Sequence, residues 1–600
     1  MRMTLLASFA MTIFLAAGSA AVPAEPMRHV TNQAPSQADA RFADLSRRWL
    51  DGAMRLSPVN ATQTGDHRFD TDIDDLSAAG RAKETAFSRQ MLRELGAIDL
   101  RLLSRDNQVD ALVLRNQLNY DIWTTEQLQS WAWDATIYSQ TAGSALYTLM
   151  ARDFAPMPER LRSATARMEK LPTLFAQMRA NLDPARVPLI HAQTVAKQNA
   201  GVLSIVDEMI VPHAKDLPDA ERTRLEAAVA SLRKAVAEQQ TWLDKTLVPN
   251  AKGDFRIGKK LYDEKLAFAL DSPMTRADIR RRAEAEIVRV RVQMYGIAKD
   301  ALKGKTGAPP TPDKPTDAQQ QAAIKAALDL AANDRPARDQ VVATAKEQLA
   351  KATDFVRKHD LITLPDAAVQ VILMPEFQRG VTVAYCDSPG PLDSKLDTFY
   401  AVSPIPDDWT AEQTTSFLRE YNTRSIAELS VHEAMPGHYV QIWHSNKHST
   451  TLRSVLGSGS FVEGWAVYAE RMMAQQGFLD HDPLYRLVQL KWYLRATANA
   501  ILDQAIHVDG MSRDDAMKLM TQTTFQEERE AAGKWVRAQL SSTQLSTYFV
   551  GVQEHLDIRR EAEQRWGKQF NLKRYHDAVT SYGSPPARYV GELMFGRPIL

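Results

Sequence analysis

From Asp39 onward, apolar residues recur at three- and four-residue steps, in segments too long to be strands. The stretch "ARFADLSRRWLDGAMRL" puts Phe42, Leu45, Trp49, Leu50 and Met54 on one stripe, and Ser57-Pro58 ends it. Comparable segments follow at 79–95, 108–126, 158–182, 188–211 and 219–246. Many are rich in Ala, Leu, Arg, Glu and Gln, all strong helix formers. Asp183-Pro184 and Val211-Pro212 punctuate them. Thr275 is placed to cap a further long helix, with Asp278 favourable in its first turn. The fold class expected is mainly α: one large multi-helix body, with a small β-sheet beside the site described below. Cys386 is the sole cysteine, so no internal disulfide forms and stability must come from a large core. "VAYCDSPG" offers that thiol no chemical partner, which reads as a packed, inert side chain.

Two stretches interrupt the helical period. "GKTGAPPTPDKPTDAQQQ", 304–321, is Gly/Pro-rich and reads as an exposed loop, where the body admits a subdivision. In 367–404 the period becomes two. Val369, Val371 and Leu373, then Val381, Val383 and Tyr385, read as short strands with a turn at Arg379-Gly380. Residues 398–402 form a third candidate. An edge strand there would suit an extended peptide held by backbone hydrogen bonds.

Lys plus Arg and Asp plus Glu both total 73, so there is no basic excess of the kind a nucleic-acid partner requires. Residues 1–24 have the layout of a secretory signal peptide: Arg2, an apolar run from Leu5 to Ala17, then small residues with cleavage sites after Ala20, Ala21 or Ala24. The run is shorter than the roughly 20 apolar residues that span a bilayer. No later stretch is long and apolar enough to cross one. The expected location is the periplasm or the exterior, with no membrane anchor after cleavage. Residues 25–38 are expected as a flexible stub and 39–600 as the main body.

"SVHEAMPGHYVQ", Ser430 to Gln441, carries the chemistry. His432 and Glu433 begin like a zinc-protease helix, but the position four residues after His432 is Pro436, and the next histidine is His438. Residues six apart in a regular helix point about 240° from each other. Pro436 removes a helix hydrogen bond and Gly437 relaxes the backbone, so a break there can return His438 to the face of His432. The helix is expected to run up to Ala434 or Met435. With no second cysteine, a metal here must be held by histidine and carboxylate. Downstream, "GSFVEGWAVYAERM" puts Glu463, Val467 and Glu470 on one helix face. A carboxylate facing an apolar core needs a partner. Glu463 is the expected third ligand. Glu470 is expected to orient a ligand or to pair with an arginine.

"HEAMPGHYVQ" followed by "EGWAVYAERM" resembles the bacterial family catalogued as domain of unknown function 885. The family resembles mainly helical zinc peptidases of the gluzincin kind. That resemblance implies Zn2+ held by His432, His438 and Glu463, with Glu433 as general base. The family often has a second consecutive histidine where this chain has Tyr439. A weaker C-terminal likeness maps onto Arg537, Gln544, Tyr548, Gly551, His576 and Asp577, and Lys534 stands where the family usually has glutamate. Three ligands leave a position for water, and Glu433 would move its proton to the leaving amine. Tyr548 is the first choice to steady the oxyanion, with Arg537 and Tyr589 behind it.

Simpler roles stand beside these. Pro-Gly-His can be a helix terminus, and His444 and His448 solvent-facing or supporting residues. Trp465 and Tyr468 read as core, and "QEERE", Gln526 to Glu530, as a solvated helix face. The functional expectation is an exported zinc metallopeptidase of short peptides. The alternatives are a zinc hydrolase of other amides or esters, and a degenerate protein that binds peptide or metal without turnover.

Overall fold

Helix Gln37–Leu56 starts two residues ahead of the expected boundary because Ser36 caps it: the Asp39 amide donates to Ser36 Oγ at 3.0 Å and the Ser36 amide to Asp39 at 3.3 Å. The structure is a computed structural model and describes residues 36–379, 382–448 and 450–600. The expected signal segment and most of the stub lie outside the described residues. Residues 36–600 form one compact unit, mainly α-helical, and the 304–321 loop does not divide it. Tyr295 anchors that loop through a 2.6 Å bond to the Pro312 carbonyl.

The long periodic segments are helices at Ala78–Gly96, Arg105–Trp123, Met157–Asn181, Asp219–Trp242 and Arg276–Leu302. Thr275 and Asp278 form the expected cap as a capping box. Two expected helices are interrupted. The 188–211 segment breaks between Leu189–Gln198 and Gly201–Ile205, where Phe377 backbone packs 2.9 Å from where a Gly201 Cβ would sit. The helix leading into His432 is also two, Ala411–Glu420 and Thr423–Glu433, because Asn422 caps the second through the Arg424 and Ser425 amides.

Among the described residues the sheet has three strands: β1 (Gln370–Leu373), β2 (Ala384–Asp387) and β3 (Phe399–Val402), in the order β1-β3-β2. β3 pairs parallel with β1 and antiparallel with β2. The turn reading made β1 and β2 neighbours; instead the chain inserts β3 between them, leaving β2 on an edge. Gly380 and Val381 of that expected turn and strand lie outside the described residues. Among the described residues, no helix is long and apolar enough to cross a membrane.

The largest core gathers Tyr262, Met294, Trp465, Tyr493 and Val550 from helices and Tyr400 from β3. Within it, helix Gly459–Gln476 crosses helix Gln544–Trp566 with their backbones nearly touching. A Cβ on Gly464 would lie 2.3 Å from Gly551 carbonyl carbon, and one on Gly551 only 1.9 Å from the Ser460 oxygen. Two glycines at the crossing therefore bring Glu463 on one helix beside Gln544 and Tyr548 on the other.

Candidate metal centre

The His432 helix stops at Glu433. The Ala434 and Met435 amides both donate to the Ser430 carbonyl at 3.1 Å, and the Gly437 amide donates to Val431 at 2.9 Å. Met435-Pro436 is a cis peptide. Gly437 lies so close to the preceding turn that a Cβ would sit 1.9 Å from the His432 carbonyl oxygen, so a side chain is excluded there. Helix His438–Ser445 then begins at the second histidine itself. Trp465 is core, as expected, and it also pins the break: its indole N–H donates to the Pro436 carbonyl at 2.9 Å. The sequence held no sign of that bond.

The break returns His438 to His432, with ring centroids 4.8 Å apart at 86°. Glu463 Oε2 lies 3.6 Å from His432 Nε2 and 3.4 Å from His438 Nε2. One donor atom from each of the three residues lies within 4.8 Å of the others. Atoms bound to one tetrahedral ion at about 2.0–2.2 Å stand roughly 3.3–3.6 Å apart. Among the described residues, Glu463 Oε2 is buried with no hydrogen-bond partner, although its other oxygen accepts from Gln544 Nε2 at 3.2 Å. An orphaned carboxylate oxygen between two imidazoles fits a cation, since burying it alone is expensive.

The surroundings support the same group. His432 Nδ1 bonds Glu470 Oε1 at 2.6 Å, so Glu470 orients the imidazole and presents Nε2 to Glu463. Burial disfavours the His432 cation, but Glu463, Glu470 and Glu433 outweigh it and raise the imidazole well above its ordinary value. Burial likewise raises the Glu463 carboxyl, and the two histidines reverse that, holding it far below the usual range. Behind them Glu428 is fully buried and accepts from the Tyr485 hydroxyl; burial and the charge of Glu470 push its carboxyl up. Glu428 lies one turn before His432, a spacing that could have flagged it.

A cavity of about 400 Å³ opens on this group, within the range of small-ligand sites. Glu433, Tyr548 and Arg537 line it, so the three expected ligands, the expected base and the first two oxyanion candidates share one chamber. Residues 382–386, including the first three residues of edge strand β2, form part of its wall. The Tyr548 ring stacks 6.3 Å from His432, and its hydroxyl accepts from Arg537 Nη2 at 3.0 Å. Gln544 ties the two ends together, donating to Glu463 and accepting from Arg537 at 3.0 Å.

Other candidates go elsewhere. Tyr589 does not line the cavity; its hydroxyl bonds Arg588 at 2.6 Å in a separate cluster with Val109 and Leu112. Tyr439, in the place of the second histidine, donates to the Ala367 carbonyl at 2.6 Å. His444 bonds the Thr363 carbonyl at 2.8 Å and does not join the group. His576 and Asp577 pin the chain at Leu361 and Thr363. Cys386 lines the cavity, but burial pushes its thiol up, which keeps it inert. "QEERE" is not a solvated face. Gln526 and Glu530 are buried, and Glu530, on helix Glu528–Leu540, turns inward to pair with Arg495 at 2.6 Å.

These features define a mainly helical protein built around a buried two-histidine, one-glutamate group of metal-ligand geometry. The chain belongs to the family described as "Bacterial protein of unknown function (DUF885)", which it matches over residues 58–594. It is similar to a solved structure from Shewanella oneidensis described as a "putative lipoprotein of unknown function". The identity is 35%, the TM-score 0.75, and the match covers 92% of this chain and 99% of that one. A "putative lipoprotein" from Colwellia psychrerythraea shares the fold, with a TM-score of 0.74 at 17% identity over 94% of this chain and 99% of that one. No curated protein matches the sequence.

Proposed function

We propose that this chain is an exported zinc-dependent hydrolase that cleaves short peptides. The observation that carries the reading is Glu463 Oε2, buried without a hydrogen-bond partner and flanked by two imidazole nitrogens at 3.4 and 3.6 Å, with Glu433 lining the same cavity. His432, His438 and Glu463 would hold the ion. Zinc, when bound, supplies a Lewis acid and lowers the pKa of a coordinated water. Glu433 is the carboxylate placed to accept a proton from water and return it to a leaving amine. Tyr548, its hydroxyl already tied to Arg537, presents a donor for negative charge developing on a carbonyl oxygen. Glu470 holds His432 in one tautomer and orientation. The β2 edge supports a peptide over other amides or esters, because an extended backbone can pair with a free strand edge. The N-terminal pattern and the relatives described as lipoproteins support export.

Hydrolysis of a short-peptide library by wild type and by Glu433→Gln tests this. The variant is expected to keep its metal and lose about 10²–10⁴-fold in turnover, the usual worth of a general base. Equal turnover in both proteins would contradict the assignment. No turnover by a metal-loaded wild type would favour a binding protein without catalysis.

A further inference from the structure

The cavity has a second end, and it is cationic. Arg495, Lys534 and Arg537 all line it. Arg495 is compensated, pairing with Glu530 at 2.6 Å. The other two are not. Arg537 donates only to neutral groups, Gln544 Oε1 and the Tyr548 hydroxyl, each at 3.0 Å. Lys534 is 5% exposed and makes no hydrogen bond or ion pair among the described residues. The nearby carboxylates pair with other groups: Glu530 with Arg495 and with Tyr421 at 2.9 Å, and Glu420 Oε2 with Lys491 at 2.7 Å. Burial, followed by the charges of Arg495 and Arg537, pulls the Lys534 ammonium well below its ordinary value. A buried ammonium without a partner is costly, and the charges of Glu530 and Glu420 offset that cost only in part.

An anion in the cavity would offset the remainder. We infer that Lys534, with Arg537 and Arg495, forms a subsite for a substrate carboxylate, so that the chain takes short peptides bearing a carboxylate close to the bond at the metal centre. This inference rests on the peptidase reading for the bond cleaved, though not for the binding of the anion. Closeness follows from the hydrogen bonds. One glutamine side chain, Gln544, spans from Glu463 to Arg537, so the anion falls within about one or two residues of the bond, at roughly 3.3–3.6 Å per extended residue. A short, charged-tail substrate matches a chamber of about 400 Å³. The same three cations also border an adjoining cavity of about 270 Å³ lined by Val383, Pro404, Trp409 and Phe417, which offers an apolar side chain a place beside the anion.

Two chemistries supply such a carboxylate: a peptide's C-terminus, or an acidic side chain. Calorimetric binding to the full chain, in a Glu433→Gln background that prevents turnover, separates them. The probes are alanyl-phenylalanine, its C-terminal amide, and alanyl-glutamic acid α-amide beside alanyl-glutamine amide. A charged hydrogen bond in a buried site predicts about 10–100-fold tighter binding of the matching acid. Preference for alanyl-phenylalanine over its amide assigns the C-terminus; preference for the glutamate probe over the glutamine one assigns the side chain. In either case Lys534→Met and Lys534→Gln should abolish the preference. Equal affinity within both pairs, or a preference that survives both Lys534 variants, overturns the subsite. Repeating the titrations after chelation distinguishes the two readings. Acid preference without any peptide hydrolysis leaves the subsite and removes the peptidase, and hydrolysis without acid preference does the reverse.

Discussion

Arg167 and Lys534 are both buried cations, set in opposite ways. Arg167, among the N-terminal helices, donates to the Asp72 and Ala145 carbonyls at 2.9 Å, to Pro58 at 3.1 Å and to Thr62 Oγ1 at 2.6 Å. Burial lowers its pKa only to about 10, with Asp70, Asp74 and Asp72 opposing the shift, so it stays charged and stitches three segments together. Arg453 behaves alike, bonded to Asp110 and to the Asp106 and Tyr582 carbonyls. Among the described residues Lys534 has no such partners, and neither does Glu463 Oε2 at the other end of the same cavity. Buried charge that serves stability is hydrogen-bonded within the chain. Buried charge left open, positive at one end of a chamber and negative at the other, marks where something else completes the site.

The contrast can be broken by exchanging the roles. Arg167→Met removes hydrogen bonds to three backbone carbonyls and to Thr62 and should lower stability by about 3–5 kcal/mol, read as a fall in the midpoint of chemical denaturation. A loss under 1 kcal/mol would mean that Arg167 is not structural. Glu470→Gln tests the metal end. It keeps the shape but removes the charge behind His432 Nδ1, and should weaken metal affinity about tenfold to a hundredfold in a competition titration, with little change in denaturation midpoint. Smallest is Lys534→Met. Removing an unpaired buried charge should leave stability unchanged or raise it by about 1–2 kcal/mol. A clear loss would show that Lys534 has a structural role like that of Arg167.

Much of the site was legible because it lay in short stretches with strong local chemistry. His-Glu, Pro-Gly-His and Glu-Gly-Trp each named residues that share the cavity, and Pro436-Gly437 signalled the break that lets them meet. Tyr548 and Arg537 came from a resemblance, and the hydrogen bond between them follows from a helix crossing that only Gly464 and Gly551 hint at. Tyr589 was misplaced because a tyrosine near the end of a chain says nothing about which cluster it packs into. "QEERE" was misread because charge composition does not reveal that a helix turns Glu530 inward toward Arg495. The long helices named from their period lie where they were expected, but the breaks at Asn422 and near Gly201 depend on a cap and a close contact. Strand order was hidden because β3 reaches its central place through pairing distant in sequence.

The central claim is that the His432–His438–Glu463 group holds one zinc ion. The measurement that tests it most directly is elemental analysis of purified wild type beside His438→Ala. Near-stoichiometric zinc in the wild type and its loss in the variant is the result this account predicts. Zinc retained by the variant, or no metal in either protein after zinc is supplied, would contradict it.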